Sequence, residues 1–457
     1  MKPAHRSSPD DRAVKPGKEL RSSVPRGSLE TLAPRPDDFD AVGRLMEHDG
    51  SRVASLLGLR YKRMLEGPSS FLRGSALLMA DDLARGTSTG LEVQLSGDAH
   101  LSNFGVFLSS ERQMVFDVND FDESSEGPFE WDVKRLATSL VIASHELGHD
   151  AHQQSAVALS CAREYRKALA LFSSQRRLDV WYATLDVKRV VKDLRGFFSD
   201  AASERINDVV GHLRGVEATS AQHKVLHYGP LGPSVVLDPP RFSAVNATDA
   251  SMTVDDVMEV VAGYANTLSN DRQVLLSQFR IREVVRHVVG VGSVGTECYA
   301  VLMTGRDDHD PFFLQIKQAQ ASVLTLARGE ESSYEHGERV VRGQKLMQAT
   351  SDPFLGWHTL DSTRSFYVRQ LFNNRASVNV SRLDESGLVA YGRLCSWALA
   401  RAHARYGRGP EIAGYLGSGD RFEKALATFA LAYREQNQRD YEALRLAAKE
   451  GRITVAT

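Results

Sequence analysis

Most of the chain carries helical periodicity, interrupted by a few short apolar runs that read as strands. From Phe39 to Arg85 the apolar positions Leu45, Val53, Leu56, Leu57, Leu77, Leu78, Met79 and Leu83 predict helices. Asn103 to Leu108 (NFGVFL) reads as a strand, Ser109 to Arg112 as a turn, and Gln113 to Phe116 as a returning strand that ends on Asp117. Helical patterning resumes after Asp132 and runs to about Tyr228, with breaks near Gly148, Ser173 and Gly196. A Pro/Gly-rich connection over 229–252 predicts a lobe boundary, and a helix from Thr253 to Leu276 follows it. Cys298 to Met303, Phe312 to Lys317 and Ser365 to Leu371 are strand-like, and helices from Tyr391 to Tyr406 and Arg421 to Glu450 close the chain.

This order predicts an α+β protein with two lobes. A helical large lobe spans 39–280, a small antiparallel β lobe spans 281–375, and helices over 376–457 pack back on the large lobe. Residues 1–38 mix Pro, Ser, Arg and Asp with hardly any aliphatic periodicity, which predicts a disordered tail. With 457 residues, 42% of them hydrophobic, the chain can bury a substantial core. A formal net charge of −2 gives no basis for general nucleic-acid or membrane-surface binding. Cys161, Cys298 and Cys395 stand without metal-ligand spacing, and no run is long and apolar enough to span a bilayer or serve as a signal peptide. The expected location is the cytoplasm.

The candidate chemistry concentrates between Leu95 and Ala137. Asp98 and Asn103 form an Asp-x-x-x-x-Asn spacing, at which one turn presents a base and a metal-binding amide. The hairpin after Asn103 would return Asp117 beside it, and Mg²⁺ demands hard oxygen ligands of this type. Asp120 and Asp122 follow, and either can replace or join Asp117 as a metal ligand.

A second stretch, Val288 to Lys317, holds Gly290-x-Gly292-x-x-Gly295 and continues as a strand. A dinucleotide fingerprint would open a helix instead, so the glycines read as a turn whose backbone covers ATP phosphates. Lys317, ending the next strand, is the candidate phosphate-binding lysine. Its acidic partner is sought among Glu330, Glu331, Glu335 and Glu338, with Glu338 preferred. Arg60, Lys62, Arg63 and Arg73 read first as a solvated helix face and second as cations for phosphate.

The order GD-x-H-x-x-N, hairpin, apolar-Asp and GP-x-x-x-D-x-x-x-LA resembles the motif of aminoglycoside phosphotransferases and choline kinases. The runs GDAHL-x-NFG (Gly97 to Gly105) and FD-x-NDFDE (Phe116 to Glu123) are similar to those of a bacterial family, domain of unknown function 2252, over most of Arg52 to Leu444. The resemblance implies a protein kinase-like fold, with ATP and Mg²⁺ as cofactors. It also implies Asp98 as catalytic base, Asn103 and Asp117 as metal ligands, and Asp132 as anchor of the catalytic loop. Ser96 stands where many such enzymes have His. Because the glycine turn and Lys317 follow the catalytic loop in the chain, the resemblance requires a circular permutation.

The expected function is therefore ATP- and Mg²⁺-dependent phosphotransfer to a small-molecule acceptor. The short interval between Asp117 and Asp132 leaves no room for the long segment on which protein kinases dock peptides. A regulatory, nucleotide-binding pseudokinase is the alternative. His145-Glu146-Leu-Gly-His149 also matches the His-Glu-x-x-His pattern of zinc proteases. At about 100° per residue, however, His145, His149 and His152 fall opposite the apolar face formed by Leu136, Leu140, Ala143 and Leu147.

Overall fold

The computed structural model describes residues 9–186, 224–245, 252–288, 290–372 and 378–456. Helices α1 (Pro9–Ser23), α2 (Ala41–Asp49), α3 (Ala54–Met64), α4 (Pro68–Gly74) and α5 (Ala76–Arg85) lead into strands β1 (Glu92–Leu95), β2 (Phe104–Leu108), β3 (Met114–Val118) and β4 (Ser125–Pro128). Next come α6 (Phe129–Glu146), α7 (Ala151–Ser173), α8 (Arg177–Tyr182) and β5 (Leu185–Asp186). The break expected near Gly196 lies outside the described residues. The middle of the chain supplies β6 (Leu226–Gly229), β7 (Gly232–Val235), β8 (Phe242–Ala244), α9 (Val254–Ala265), α10 (Asn270–Leu276), β9 (Arg280–His287), β10 (Cys298–Thr304) and β11 (Pro311–Ala319). It continues with α11 (Val323–Arg328), α12 (His336–Met347), β12 (Gly356–Thr359) and β13 (Ser365–Gln370), and the chain closes with α13 (Glu385–Arg405), α14 (Gly409–Leu416) and α15 (Arg421–Lys449). The protein is thus α+β with small antiparallel sheets.

Helix α6 is the axis of the helical body. Every residue from Phe129 to Ser144 is buried, because α7, α13 and α15 all pack on it. Leu136, Leu140 and Val141 join Val157, Tyr165, Leu399 and Phe429 in one apolar cluster. Burying each such aliphatic side chain stabilises the fold by roughly 1.5–3 kcal/mol. The one-faced pattern read from Leu136 to Leu147 is therefore only half of what this helix does.

The second body is a six-stranded antiparallel sheet in the order β12-β13-β11-β10-β9-β8. The side-chain alternation of strands assigns its two faces. Tyr299, Val301, Met303, Leu314 and Ile316 meet Val257, Val260 and Tyr264 of α9 on one face, while Ala300, Leu302 and Phe313 meet Phe242 and Val225 on the other. This corrects the expected lobe boundary at 281. Strand β8 and helix α9 belong with the sheet, because the apolar stripe of α9 finds its cover there.

The tail expectation also changes from residue 9 onward. Helix α1 lies against α14 so closely that a Cβ on Gly17 would stand 1.8 Å from Glu411 O, and one on Gly414 would stand 2.2 Å from Val14 O. Arg21 Nε donates to Tyr415 O at 2.9 Å, and Arg26 Nη1 to Leu416 O at 2.6 Å. Arg35 bridges Asp82 and Asp440, both buried. These charge-assisted bonds to the body order a segment that has little apolar sequence of its own.

Candidate active site

The loop before β2 is held from below by the first turn of α6. Asp132 accepts hydrogen bonds from Ser96 N at 2.8 Å and Gly97 N at 3.0 Å, and from Ser96 Oγ at 3.2 Å. Gly97 has φ +83°, and a Cβ there would stand 2.0 Å from Glu123 O, so the turn requires glycine. Asp98 follows this turn. Arg135 lies three residues after Asp132 on α6 and binds Asp98 Oδ1 through Nε at 2.8 Å and Nη2 at 2.7 Å. Asn103 Nδ2 donates to Asp98 O at 2.8 Å, which leaves Asn103 Oδ1 for a cation.

His100 packs beside this pair, with Nε2 3.5 Å from Asp98 Oδ2. Burial drives its pKa down to about 4, against the pull of Asp98, so the ring is neutral near pH 7. Its Nδ1 is buried without a hydrogen-bond partner.

The β2–β3 hairpin forms as the sequence predicts, with Asp117 opposite Gly105 and Asn119 N donating to Asn103 O at 2.8 Å. The Asp117 carboxylate, however, is directed to the helical core. It receives Arg401 Nη2 from α13 at 2.6 and 2.7 Å and Ala349 N at 3.0 Å, and it is 2% exposed. The structure places Asp117 inside strand β3, outside the lining of the cleft that Asp98, Asn103, Asp120 and Lys317 share.

Asp120 and Asp122 occupy that cleft. Among the described residues Asp120 Oδ1 accepts only a long bond, from Asp122 N at 3.3 Å, and burial together with the Asp122 charge raises its pKa. Asp122 bonds Lys317 Nζ, Tyr367 OH at 2.7 Å and Ser293 Oγ at 3.1 Å. Burial opposes the Asp122 charge, but Lys317 and Tyr367 outweigh burial and hold the carboxyl below its usual range. Lys317 also donates to Ser293 Oγ at 2.6 Å; burial disfavours its ammonium, yet Asp122 carries its pKa above the ordinary value.

The expected Lys317 partner is corrected by this geometry. Glu338 bonds Arg342, one helical turn along α12, at 2.7 Å. Its neighbour Arg339 is the residue that turns inward, donating to Asp122 O at 2.7 Å and Gln320 O at 2.9 Å.

The glycine turn connects antiparallel strands β9 and β10. Arginines fix it from the helical side: Arg60 Nη1 donates to Val291 O at 3.0 Å and Arg52 Nη1 to Val294 O at 2.9 Å. Arg60, first read as part of a solvated face, is 1% exposed and paired with Asp49. Gly295, with φ +94°, closes the turn, its carbonyl accepting from Val53 N at 2.7 Å. Gly290 and Gly292 line a cavity of about 180 Å³ together with Asp98, Asn103, Asp120, Lys317 and Arg369. Asp117, Gly295 and Glu338 are not part of its lining.

Over residues 52–447 the chain matches the family described as "Uncharacterized protein conserved in bacteria (DUF2252)". The chain belongs to this family. No curated protein and no solved structure matches it. All the cavity residues of this DUF2252 member fall inside the matched span, whereas α1 precedes it.

The histidine motif of the DUF2252 chain is arranged differently from a zinc-protease helix. Helix α6 ends at Glu146, and Gly148 takes φ +81°. His149 Nδ1 pairs with Ser144 Oγ at 2.9 Å, while Glu146 accepts from Ser69 N at 2.9 Å and Ser69 Oγ at 2.6 Å. His145 is exposed, as its helical position predicts. Among the described residues no three His, Cys, Asp or Glu side chains cluster as a metal site, and no helix is long and apolar enough to cross a membrane.

Proposed function

We propose that this cleft binds a magnesium–nucleotide complex and transfers its terminal phosphoryl group to a small acceptor. The observation that carries the reading is the convergence of Asp98, Asn103 and Asp120 with Gly290, Gly292 and Lys317 on one cavity, from stretches nearly two hundred residues apart in the chain. Mg²⁺ commonly takes one or two carboxylates and fills its shell with phosphate and water, so the pair Asn103 Oδ1 and Asp120 fits it. Asp120 suits this role better than Asp117, whose oxygens are engaged by Arg401 and Ala349.

When bound, the magnesium–nucleotide complex supplies the transferable phosphoryl group and a cation that offsets phosphate charge. Asp98 lines the cavity while Arg135 fixes its Oδ1, an arrangement that orients the carboxylate to take a hydroxyl proton. Lys317 supplies a permanent positive charge beneath the glycine turn. Neutral His100 places no positive charge beside the Asp98 carboxylate.

The arrangement supports a kinase-like fold with permuted chain order, in which the sheet carries the glycine turn and lysine and the helical body carries the base. Such a permutation needs the two ends of the chain to lie close. Arg452 pairs with Asp40, and Ala456 N donates to Gly58 O at 3.0 Å.

One observation favours a second reading, nucleotide binding with a regulatory output and no transfer. Lys317 already spends two of its three N–H donors on Asp122 and Ser293, which leaves one for a phosphate. Incubating the protein with ATP, Mg²⁺ and a metabolite extract, followed by mass spectrometry, separates the two. A mass increase on one metabolite, of a phosphoryl or an adenylyl group, supports transfer; bound ATP without turnover supports the regulatory reading.

A further inference from the structure

A second cavity of about 170 Å³ opens on the far side of His100 from Lys317. Arg73, at the end of α4, and His100 line both cavities and form the partition between them. The walls of the second cavity are largely apolar, with Leu72, Leu101, Ala143 and Val380 among them. At roughly 30 Å³ per water-sized group, it holds a molecule of about six non-hydrogen atoms.

Two nitrogens of the partition, Arg73 Nε and His100 Nδ1, are buried without hydrogen bonds. Among the described residues Arg73 makes no ion pair with a carboxylate, and its Nε is buried without a hydrogen bond. The other cleft cations are committed: Arg135 to Asp98, Lys317 to Asp122, and Arg369 Nε to Gln315 at 2.9 Å. Glu146, the carboxylate on the second cavity's rim, spends both oxygens on Ser69. His100 is 4% exposed, and with Nε2 toward Asp98 its unpartnered Nδ1 is an acceptor. These two buried, unbonded nitrogens cost free energy unless a ligand satisfies them.

We propose that this second cavity is the acceptor pocket, and that it takes a small hydroxylated anion whose carboxylate or phosphate pairs with Arg73 and whose hydroxyl bonds His100 Nδ1. The assignment rests on the phosphotransfer reading for its purpose, but its binding chemistry is testable without nucleotide. Glycerate and lactate are the anionic probes, with glycerol as their neutral counterpart, followed by ligand-observed NMR on the full chain. Mg·ATP affinity is measured separately by calorimetry.

Both anions should bind wild type at least roughly tenfold more tightly than glycerol, the scale of a charge-assisted hydrogen bond. Arg73→Gln should abolish that preference. Val380→Trp, at a half-buried position in the wall of the second cavity alone, should block both anions by filling the pocket and should not shift Mg·ATP affinity more than about twofold. Equal binding of glycerol and the anions, or unchanged anion binding in either variant, overturns the proposal. A loss of Mg·ATP affinity in Val380→Trp also overturns it, by showing that the second cavity is part of the nucleotide site. Mg·ATP binding without anion binding removes the pocket and keeps the phosphotransfer reading, whereas anion binding without Mg·ATP binding does the reverse.

Discussion

Replacing Asp117 should damage the fold while sparing the site. Asp117 and Arg401 are 2% and 1% exposed, and their contacts at 2.6 and 2.7 Å join strand β3 to helix α13. Arg401 Nη1 already lacks a partner, so without the carboxylate the guanidinium keeps only Met347 O at 2.8 Å. Removing one member of a buried ion pair costs about 3–5 kcal/mol, because the other charge stays buried and uncompensated. Asp117→Asn also loses an anionic acceptor for Ala349 N.

Removing both charges, as in Asp117→Asn with Arg401→Met, should recover much of the loss, since a buried pair contributes less than its one-sided disruption suggests. Urea unfolding of the four proteins in this double-mutant cycle measures the coupling, and calorimetry on the folded variants measures Mg·ATP affinity. The predicted result is a large coupling free energy with nucleotide affinity retained. An Asp117→Asn protein as stable as wild type that has lost Mg²⁺-dependent nucleotide binding would refute the argument and restore Asp117 as a metal ligand.

Other outcomes follow from the same geometry. Asp98→Asn should keep Mg·ATP affinity and lower kcat by about 10²–10⁴, the usual contribution of a positioned base, as checked by steady-state turnover. His149→Ala should leave turnover unchanged, because the site is remote from the cleft, while losing about 1 kcal/mol of stability with the Ser144 hydrogen bond; a large loss of activity with release of zinc would contradict this. Burial raises the Glu123 pKa from 4.5 to about 7, so the folded state binds the proton more tightly than the unfolded chain. Stability from this group is present below pH 4.5 and is lost as pH rises through 7. Glu123→Gln, which keeps an acceptor for Val323 N, should therefore flatten the decline in the urea midpoint across that window.

The parts legible in the sequence were those with local signals. The hairpin from Phe104 to Val118 follows from two apolar runs around a turn, and the glycine turn between β9 and β10 from glycines followed by a β-prone run. The preference for Glu338 overlooked a signal that was present, because Arg342 stands at i+4 on the same helix and captures it. Arg135 also stood at helical spacing from Asp132, the anchor of the Asp98 loop. Nothing local announces that Arg401 claims Asp117, or that Asp122 rather than a helical glutamate meets Lys317. Such pairs join residues hundreds of positions apart and leave no periodic trace. Helix α9 was assigned to the wrong lobe for a similar reason: its apolar stripe shows that it packs, but not on what.

The central claim, that Asn103, Asp120 and Lys317 form one magnesium–nucleotide site, is tested most directly by calorimetric titration of the full chain with ATP in Mg²⁺ and again in excess EDTA. The account predicts saturable binding that requires Mg²⁺, is weakened in Asp120→Asn, and recovers in part at higher Mg²⁺. Absence of any ATP binding by folded wild-type protein in Mg²⁺, or binding of equal strength in EDTA and in Asp120→Asn, would contradict it.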